Sequence, residues 1–177
     1  MTANALHGMS LVRDEIDRST FFDLLIDQLV RSEWSILAYS LMTTHYHLLL
    51  RLKKPTLSSG FQRFHSRYAR AYNRRHKRRG VVWQRRFHDV YVDSDRHLLE
   101  CVRYIALNAP RAQVCAAPED WPWSSYGSAI GAHPTDLIVD ESELLALFGS
   151  RPSTARRRLR AFVEERDPRV RSAQSVL

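Results

Sequence analysis

The hydrophobic positions of this chain repeat with two periods, one typical of helices and one typical of strands. Segments 34–42 (WSILAYSLM) and 45–52 (HYHLLLRL) predict two strands that pair through a tight connection. One set of apolar residues at helical spacing predicts a first helix ending near Ser32: Ile16, Phe21, Leu24, Leu25 and Leu29. A second set, spaced by three and four, predicts a long helix over 57–79: Phe61, Phe64, Tyr68 and Tyr72.

The second half of the chain continues this alternation before the pattern weakens. Segment 81–93 (VVWQRRFHDVYVD) predicts a third strand, and Ser94 or Asp95 can cap a helix that follows over 96–108. Two short helices are predicted near 140–148 and 152–166, the latter with Pro152 in its first turn. Residues 1–9 are too short and too weakly β-forming to predict a strand.

The resulting order of elements is α-β-β-α-β-α, a ferredoxin-like split βαβ pattern without its first strand. We therefore predict an α+β fold, with a ferredoxin-like antiparallel sheet, helices on one face, and a helical C-terminal tail. A missing first strand would leave unpaired backbone groups in the middle of the sheet, and a misplaced start codon or a decayed gene would account for it. Residues 1–131 form the predicted main domain and residues 132–177 a basic, helical appendage.

Charge is concentrated in the middle of the chain. The formal net charge is +8, and residues 51–90 carry 13 basic side chains but a single acidic one, Asp89. Such a field favours a polyanionic partner, and we interpret this stretch as a phosphate-binding surface. The two cysteines are too few for a disulfide framework. Because neither a membrane-spanning stretch nor a secretory signal is recognisable, we expect a cytoplasmic protein.

Two histidines of the second predicted strand can serve as metal ligands. Side chains alternate along a strand, so His45 and His47 point to one face and Tyr46 to the other. A half-exposed strand that carries two histidines by chance is an equally good interpretation of so short a motif. On the helix predicted over 96–108, Tyr104 and Asn108 lie about 40° apart and opposite the apolar stripe. This position is not that of a core tyrosine.

Together, the motifs resemble those of the REP-associated tyrosine transposases, a branch of the single-tyrosine HUH (His-hydrophobe-His) transposases. The matching stretches are AYSLMTTHYHLLL at 38–50, SRYARAYNRRHKRRGVVWQRRFHD at 66–89, VRYIALNAPRA at 102–112, WPWSSY at 121–126, and ELLALFG with ARRRLRAFVEE within 143–165. The resemblance implies a metal-dependent nuclease and strand transferase that cuts single-stranded DNA beside hairpins. It implies that Tyr104 is the nucleophile and forms a covalent 5′-phosphotyrosine intermediate. It also implies that Mg²⁺ or Mn²⁺ is held by His45, His47 and Asn108.

The resemblance and the charge pattern assign DNA contacts to the basic side chains of the middle stretch and to one arginine beyond the tyrosine: Arg63, Arg67, Arg70, Arg74, Arg75, Lys77, Arg78, Arg79, Arg85, Arg86 and Arg111. Trp83, Phe87 and Tyr91 alternate with polar residues and are either base-stacking or core residues. Pro110 stands one position later than in the family pattern, and this shift can change the orientation of the Asn108 side chain. Whether the protein is a monomer or a dimer stays open.

Three other functions also stay open. A non-catalytic protein of the same fold that binds single-stranded or hairpin DNA would follow from the missing strand. An RNA-binding protein would suit a basic sheet, although the aromatic pattern typical of RNA-binding sheets is not recognisable. A zinc hydrolase that uses His45 and His47 with water as the nucleophile would leave Tyr104 without a role.

Overall fold

A computed structural model describes residues 1–165 as an antiparallel sheet packed between two groups of helices. Its elements are, in chain order, β1 (Thr2–Asn4), α1 (Glu15–Ser32), β2 (Trp34–Leu41), β3 (His45–Leu52), α2 (Leu57–Arg75), α3 (Asp95–Ala106), α4 (Asn108–Arg111), a 3₁₀ turn (Pro118–Asp120), α5 (Tyr126–Ala129), α6 (Glu141–Ala146) and α7 (Pro152–Glu164). The end of the last predicted helix, residue 166, and the rest of the predicted tail lie outside the described residues. None of the described helices is long and apolar enough to cross a membrane.

The first strand, which we predicted to be missing, is present as the short strand β1. The sheet order is β1-β3-β2, so β3 lies in the centre, with Thr2 opposite His47 and Asn4 opposite His45. The Thr2 hydroxyl also donates to the carbonyl of Tyr46 at 2.9 Å. The prediction was wrong because we judged residues 1–9 by their β propensity. Pairing along β3 needs only backbone groups, and three residues are enough to supply them.

Segment 81–93, which we predicted to be a third strand, has no regular strand in the structure. It follows the outer edge of β1 through two isolated bridges, Ala5 with Trp83 and Thr2 with His88. A strand as short as β1 offers few backbone partners, so the residues between these two bridges leave the sheet as a loop. The segment nevertheless occupies the edge position of the fourth strand in a ferredoxin-like order.

Helices cover both faces of the sheet, whereas we predicted them on one. The face that carries Tyr46 packs against α1 and α2, with Phe21, Phe64 and Tyr68 fully buried there. On the other face, Leu49 of β3 shares a second core with Val102 of α3 and with residues of α6 and α7. The prediction of an α+β fold is confirmed. The domain boundary at residue 131 stays a prediction, although side chains beyond it share this second core.

A short ion-pair network joins the start of α1 to the end of α2. The buried Asp17 carboxylate accepts a hydrogen bond from Arg75 at 2.5 Å and another from His76 at 2.9 Å. Lys77 then takes a left-handed conformation with φ of 51°, which ends the helical path. Helix α2 therefore ends at Arg75, four residues before the end that we predicted at residue 79.

Candidate active site and nucleic-acid interface

The two histidines lie side by side on the central strand. Pairing on both sides of β3 fixes their direction, because His47 is opposite Thr2 of β1 and Ser40 of β2. Their ring centroids are 5.0 Å apart. Tyr46, between them, points to the other face, where its hydroxyl lies 2.6 Å from Nε2 of the buried His65. The alternation predicted from the sequence is thus confirmed, and β3 holds both imidazoles rigidly toward α3.

The histidine face of the sheet is not open to solvent, because α3 crosses it. His47 is 9% exposed, and its Nε2 atom has no hydrogen-bond partner in the part of the chain that the structure describes. Burial, followed by the nearby charges of His45 and the N-terminus, lowers the pKa of His47 to about 4. A buried nitrogen without a partner is costly unless something binds to it, so this atom is suited to a ligand.

His45 is linked directly to the helix that carries the tyrosine. Its Nε2 atom lies 3.2 Å from Oδ1 of Asn108, and its Nδ1 atom lies 3.1 Å from the hydroxyl of Thr44. Burial lowers the pKa of His45, and the contact with Asn108 opposes that shift. Both histidines are consequently neutral near pH 7, the form in which an imidazole nitrogen can bind a metal.

Tyr104 projects from α3 at the edge of this cluster. Its side chain is 47% exposed, which confirms that it is not a core tyrosine. Its ring meets that of His47 edge-on, with centroids 5.1 Å apart and planes at 89°. The ring of Tyr104 therefore lies against the imidazole of His47 while it remains open to a substrate from solvent.

The late proline interrupts the helix without removing Asn108 from the site. Pro110 has no N–H to donate to the carbonyl of Ala106, and α3 ends at that residue. Asn108 begins the next short helix, α4, and the chain continues in nearly helical geometry, with the Arg111 N–H bonded to the carbonyl of Leu107 at 3.0 Å. The small break thus leaves the Asn108 amide within reach of His45.

The side chains of His45, His47 and Asn108 form the donor set that could hold a divalent metal. Nε2 of His47 is free among the described residues, Nε2 of His45 faces the cluster, and the amide oxygen of Asn108 adds a hard ligand. No group of three or more His, Cys, Asp or Glu side chains within residues 1–165 has the arrangement of a metal site. The residues present instead fit a metal site of two imidazoles and one amide oxygen, because Asn108 takes the place of a third His, Cys, Asp or Glu ligand.

The basic residues that we predicted to bind DNA divide into two groups. Some contact other parts of the protein: Arg67 pairs with Asp27, Arg75 pairs with Asp14 and Asp17, and Arg78 lies over the ring of Tyr72. The others are exposed and have no ion pair with any residue in the described range: Arg63, Arg70, Arg74, Lys77, Arg79, Arg85 and Arg86. Sequence patterns do not distinguish the two groups, because the aspartates that pair with Arg67 and Arg75 lie far away in the chain, on α1 and at its N-cap.

The structure does not bring all the predicted DNA contacts together with the tyrosine. Helix α2 packs on the Tyr46 face of the sheet, and α3 packs on the opposite, histidine face. Arg111, by contrast, is close to the site, with its guanidinium carbon 5.9 Å from the centre of the Tyr104 ring. The arginine stripe of α2 and the tyrosine are thus separate surfaces that one nucleic acid would have to reach together.

A groove next to Tyr104 was not predicted from the sequence. It has a volume of about 920 Å³, and its outer wall is the irregular segment 88–95. Its lining also includes His47, Tyr104 and Leu49, so it is continuous with the histidine cluster. We call it the tyrosine groove. The only sequence signal for it was the change from basic to acidic composition after residue 88, which begins with Asp89.

Three comparisons with known proteins bear on this arrangement. Residues 10–108 match the family model described as "Transposase IS200 like". The fold also matches a solved structure of a REP-associated tyrosine transposase bound to a REP hairpin, with a TM-score of 0.64 and 19% sequence identity, over 79% of this chain and 84% of that chain. At that identity the match shows a shared fold. No curated protein matches the sequence.

Proposed function

Since this chain belongs to the IS200-like transposase family, we propose that it is a DNA strand transferase that uses Tyr104 as its nucleophile. The observation that carries the proposal is the convergence of three elements, β3, α3 and α4. The Tyr104 ring of α3 contacts His47 of β3, and Asn108 lies 3.2 Å from His45. A tyrosine, two neutral imidazoles and an amide are the groups needed to hold and attack a phosphodiester.

The reaction follows from the chemistry of the tyrosine. Its oxygen forms a bond to the phosphorus of the scissile phosphodiester while the bond from phosphorus to the 3′ oxygen breaks. The phenol proton passes to solvent, and the departing 3′ oxygen takes up a proton. The products are a 5′-phosphotyrosine and a free 3′-hydroxyl, and the reverse attack by another 3′-hydroxyl joins two strands without ATP.

A phenol has a pKa near 10, so an unassisted tyrosine is a weak nucleophile at neutral pH. His45, His47 and Asn108 would hold Mg²⁺ or Mn²⁺, which when bound would polarise the phosphate and favour in-line attack. The role of the chain itself is positional. β3 fixes the two imidazoles, α3 fixes the ring of Tyr104 against one of them, and α4 directs the amide of Asn108.

We further propose that the substrate is single-stranded DNA beside a hairpin. The solved structure that shares this fold was bound to a REP hairpin. The exposed arginines of α2 and of the loop near Arg85 supply cations that can contact the phosphates of a folded stem. The argument for a non-catalytic protein rested on a missing first strand. Since β1 pairs with β3, no observation now favours that alternative.

A covalent-capture assay tests the proposal. The protein is mixed with Mg²⁺ or Mn²⁺ and labelled hairpin oligonucleotides from the DNA that flanks its gene, and denaturing gels are used to detect a protein–DNA adduct. We expect the adduct with the wild type and its loss in Tyr104→Phe and His45→Ala. Tyr72→Phe is the matched control, because it removes the hydroxyl of a tyrosine on the opposite face of the sheet. Tight hairpin binding without any adduct would instead support the non-catalytic alternative.

A further inference from the structure

The tyrosine groove has a mainly apolar floor beside the proposed reaction centre. Leu37 and Leu49 of the sheet, Leu57 at the start of α2, and Leu98 and Ile105 of α3 contribute to its lining. Its volume of about 920 Å³ lies within the range of roughly 300–1,000 Å³ typical of sites for drug-sized molecules. An apolar floor of this kind suits the faces of nucleobases better than the charged sugar-phosphate backbone.

The rim of the groove is acidic, in contrast to the arginine surface on the other side of the sheet. Carboxylates of Asp89, Asp93, Asp95 and Glu100 line it, and among the lining residues in the range 1–165 Arg51 is the one arginine or lysine, beside the amino group of Met1. Arg51 is itself paired with Glu143. Because carboxylates repel phosphates, a strand that enters this groove would keep its backbone outward and its bases inward.

Two of these carboxylates, Asp89 and Asp95, have no hydrogen bond or ion pair with another residue in the range 1–165, and Asp95 lies in the first turn of α3. Asp93 contacts Ser94 and His97, and Glu100 pairs with Arg103. Asp89 is exposed, and its carboxylate accepts no hydrogen bond from another residue in the range 1–165, although the charge of the Met1 amino group is close enough to interact with it. Among the described residues, Asp89 is thus a hydrogen-bond acceptor without a donor on the wall of the groove.

An exposed aromatic side chain lies on the same wall. Tyr91 is 86% exposed, and its neighbour Val90 is 55% exposed. Both line the groove. A large aromatic ring held in water at the rim of an apolar groove is unfavourable in the free protein, and it is well suited to stacking on a base.

We propose that the tyrosine groove binds the unpaired bases next to the phosphodiester that Tyr104 attacks, and that it selects them by their edges. The Asp89 carboxylate accepts a hydrogen bond from an exocyclic amino group, as carboxylates do from N4 of cytosine, while Tyr91 stacks on a base. The groove therefore favours bases with an exocyclic amino group, which are cytosine, adenine and guanine, over thymine, whose only donor is its ring N3–H. This inference rests on the proposed function and adds a base preference to it.

The test measures binding without cleavage, in protein that carries Tyr104→Phe. Labelled hairpins with a single-stranded extension of cytosine, adenine, thymine or abasic sites are titrated by fluorescence anisotropy, together with the hairpin that lacks an extension. We expect about 5-fold or greater preference for cytosine or adenine over thymine. Adding Asp89→Asn should remove or invert this preference, because an amide can donate to O4 of thymine.

Two further variants separate stacking from charge. Adding Tyr91→Ala should weaken binding of every base-containing extension by roughly 5-fold or more, whereas Tyr91→Phe should retain it, because only the ring is needed. Adding Arg70→Gln should weaken binding of all hairpins without changing the order of base preference.

The possible failures are distinguishable. If the Asp89→Asn variant binds hairpins with the same order of base preference, the groove assignment is overturned. The same holds if the protein binds base-containing and abasic extensions with equal affinity. Either result leaves the strand transferase proposal intact. Absence of hairpin binding in every variant would overturn both.

Discussion

Replacing Arg70 and Arg74 together with glutamine should weaken hairpin binding in a strongly salt-dependent way. Both residues are exposed on α2, neither has an ion pair within residues 1–165, and their spacing of four places them on one side of the helix. Each phosphate contact contributes about 0.9 to the magnitude of the slope of log K, the binding constant, against log salt on duplex DNA. The slope of the double variant should therefore be smaller by about 1.8. Extrapolated from 1 M to 0.1 M salt, this slope corresponds to roughly 60-fold lower affinity.

The assay is a titration of a labelled hairpin at several salt concentrations, with Tyr104→Phe present in every protein so that only binding is measured. Arg67→Gln is the matched control. Arg67 lies on the same side of α2, but its guanidinium is paired with Asp27, so its removal should change the slope much less than removal of Arg70. Urea unfolding of each variant confirms that the fold is retained.

Two results would refute this reasoning. A drop in slope for Arg67→Gln as large as for Arg70→Gln alone would mean that the ion pair with Asp27 does not keep Arg67 from DNA. An unchanged slope in the Arg70 and Arg74 double variant would mean that α2 is not the phosphate-binding surface.

Three further predictions concern stability. Burial lowers the pKa of His65 from 6.5 to about 4, so the contribution of His65 to the free energy of unfolding should be fully present above pH 6.5, and about 3 kcal/mol of it should be lost as the pH drops to 4, in addition to the loss from His47. His65→Gln should remove that loss in urea unfolding at the two pH values, and equal acid sensitivity would contradict it. Leu159→Ala should cost about 2–5 kcal/mol, because Leu159 is fully buried in the second core, whereas Leu137→Ala, at a residue that is 95% exposed, should cost less than about 0.5. Asp17→Asn should cost roughly 2–3 kcal/mol in the same unfolding assay, less than for a fully buried pair because its partner is 31% exposed, and an unchanged midpoint would show that the pair is not stabilising.

Much of the fold follows from local patterns. Strand β3 was predicted with its observed bounds, and α1, β2 and α7 were predicted to within a few residues, because each repeats apolar positions with its own period. The direction of His45, His47 and Tyr46 follows from the same period of two. The position of Tyr104 outside the apolar stripe of α3 follows from the period of 3.6.

Other features depended on partners that are distant in the chain. The three residues of β1 carry no strand signal, and they form a strand because β3 offers unpaired backbone groups beside them. Segment 81–93 has the composition of a strand, and it remains irregular because β1 is too short to pair with it throughout. Local propensity is a weak term in both cases, and tertiary hydrogen bonding outweighs it.

The sequence by itself determined the longer helices, strands β2 and β3, the histidine pair, the exposed tyrosine and the family to which the chain belongs. Three features were decided only by the tertiary structure. It determined which arginines form ion pairs with aspartates of α1, it placed helices on both faces of the sheet, and it formed a groove with an acidic rim next to Tyr104. The physical reason is that periodicity is encoded within a few neighbouring residues. Ion pairs, burial and grooves, in contrast, depend on distances between side chains that are far apart in the chain and become close only when the sheet and its two helical layers assemble.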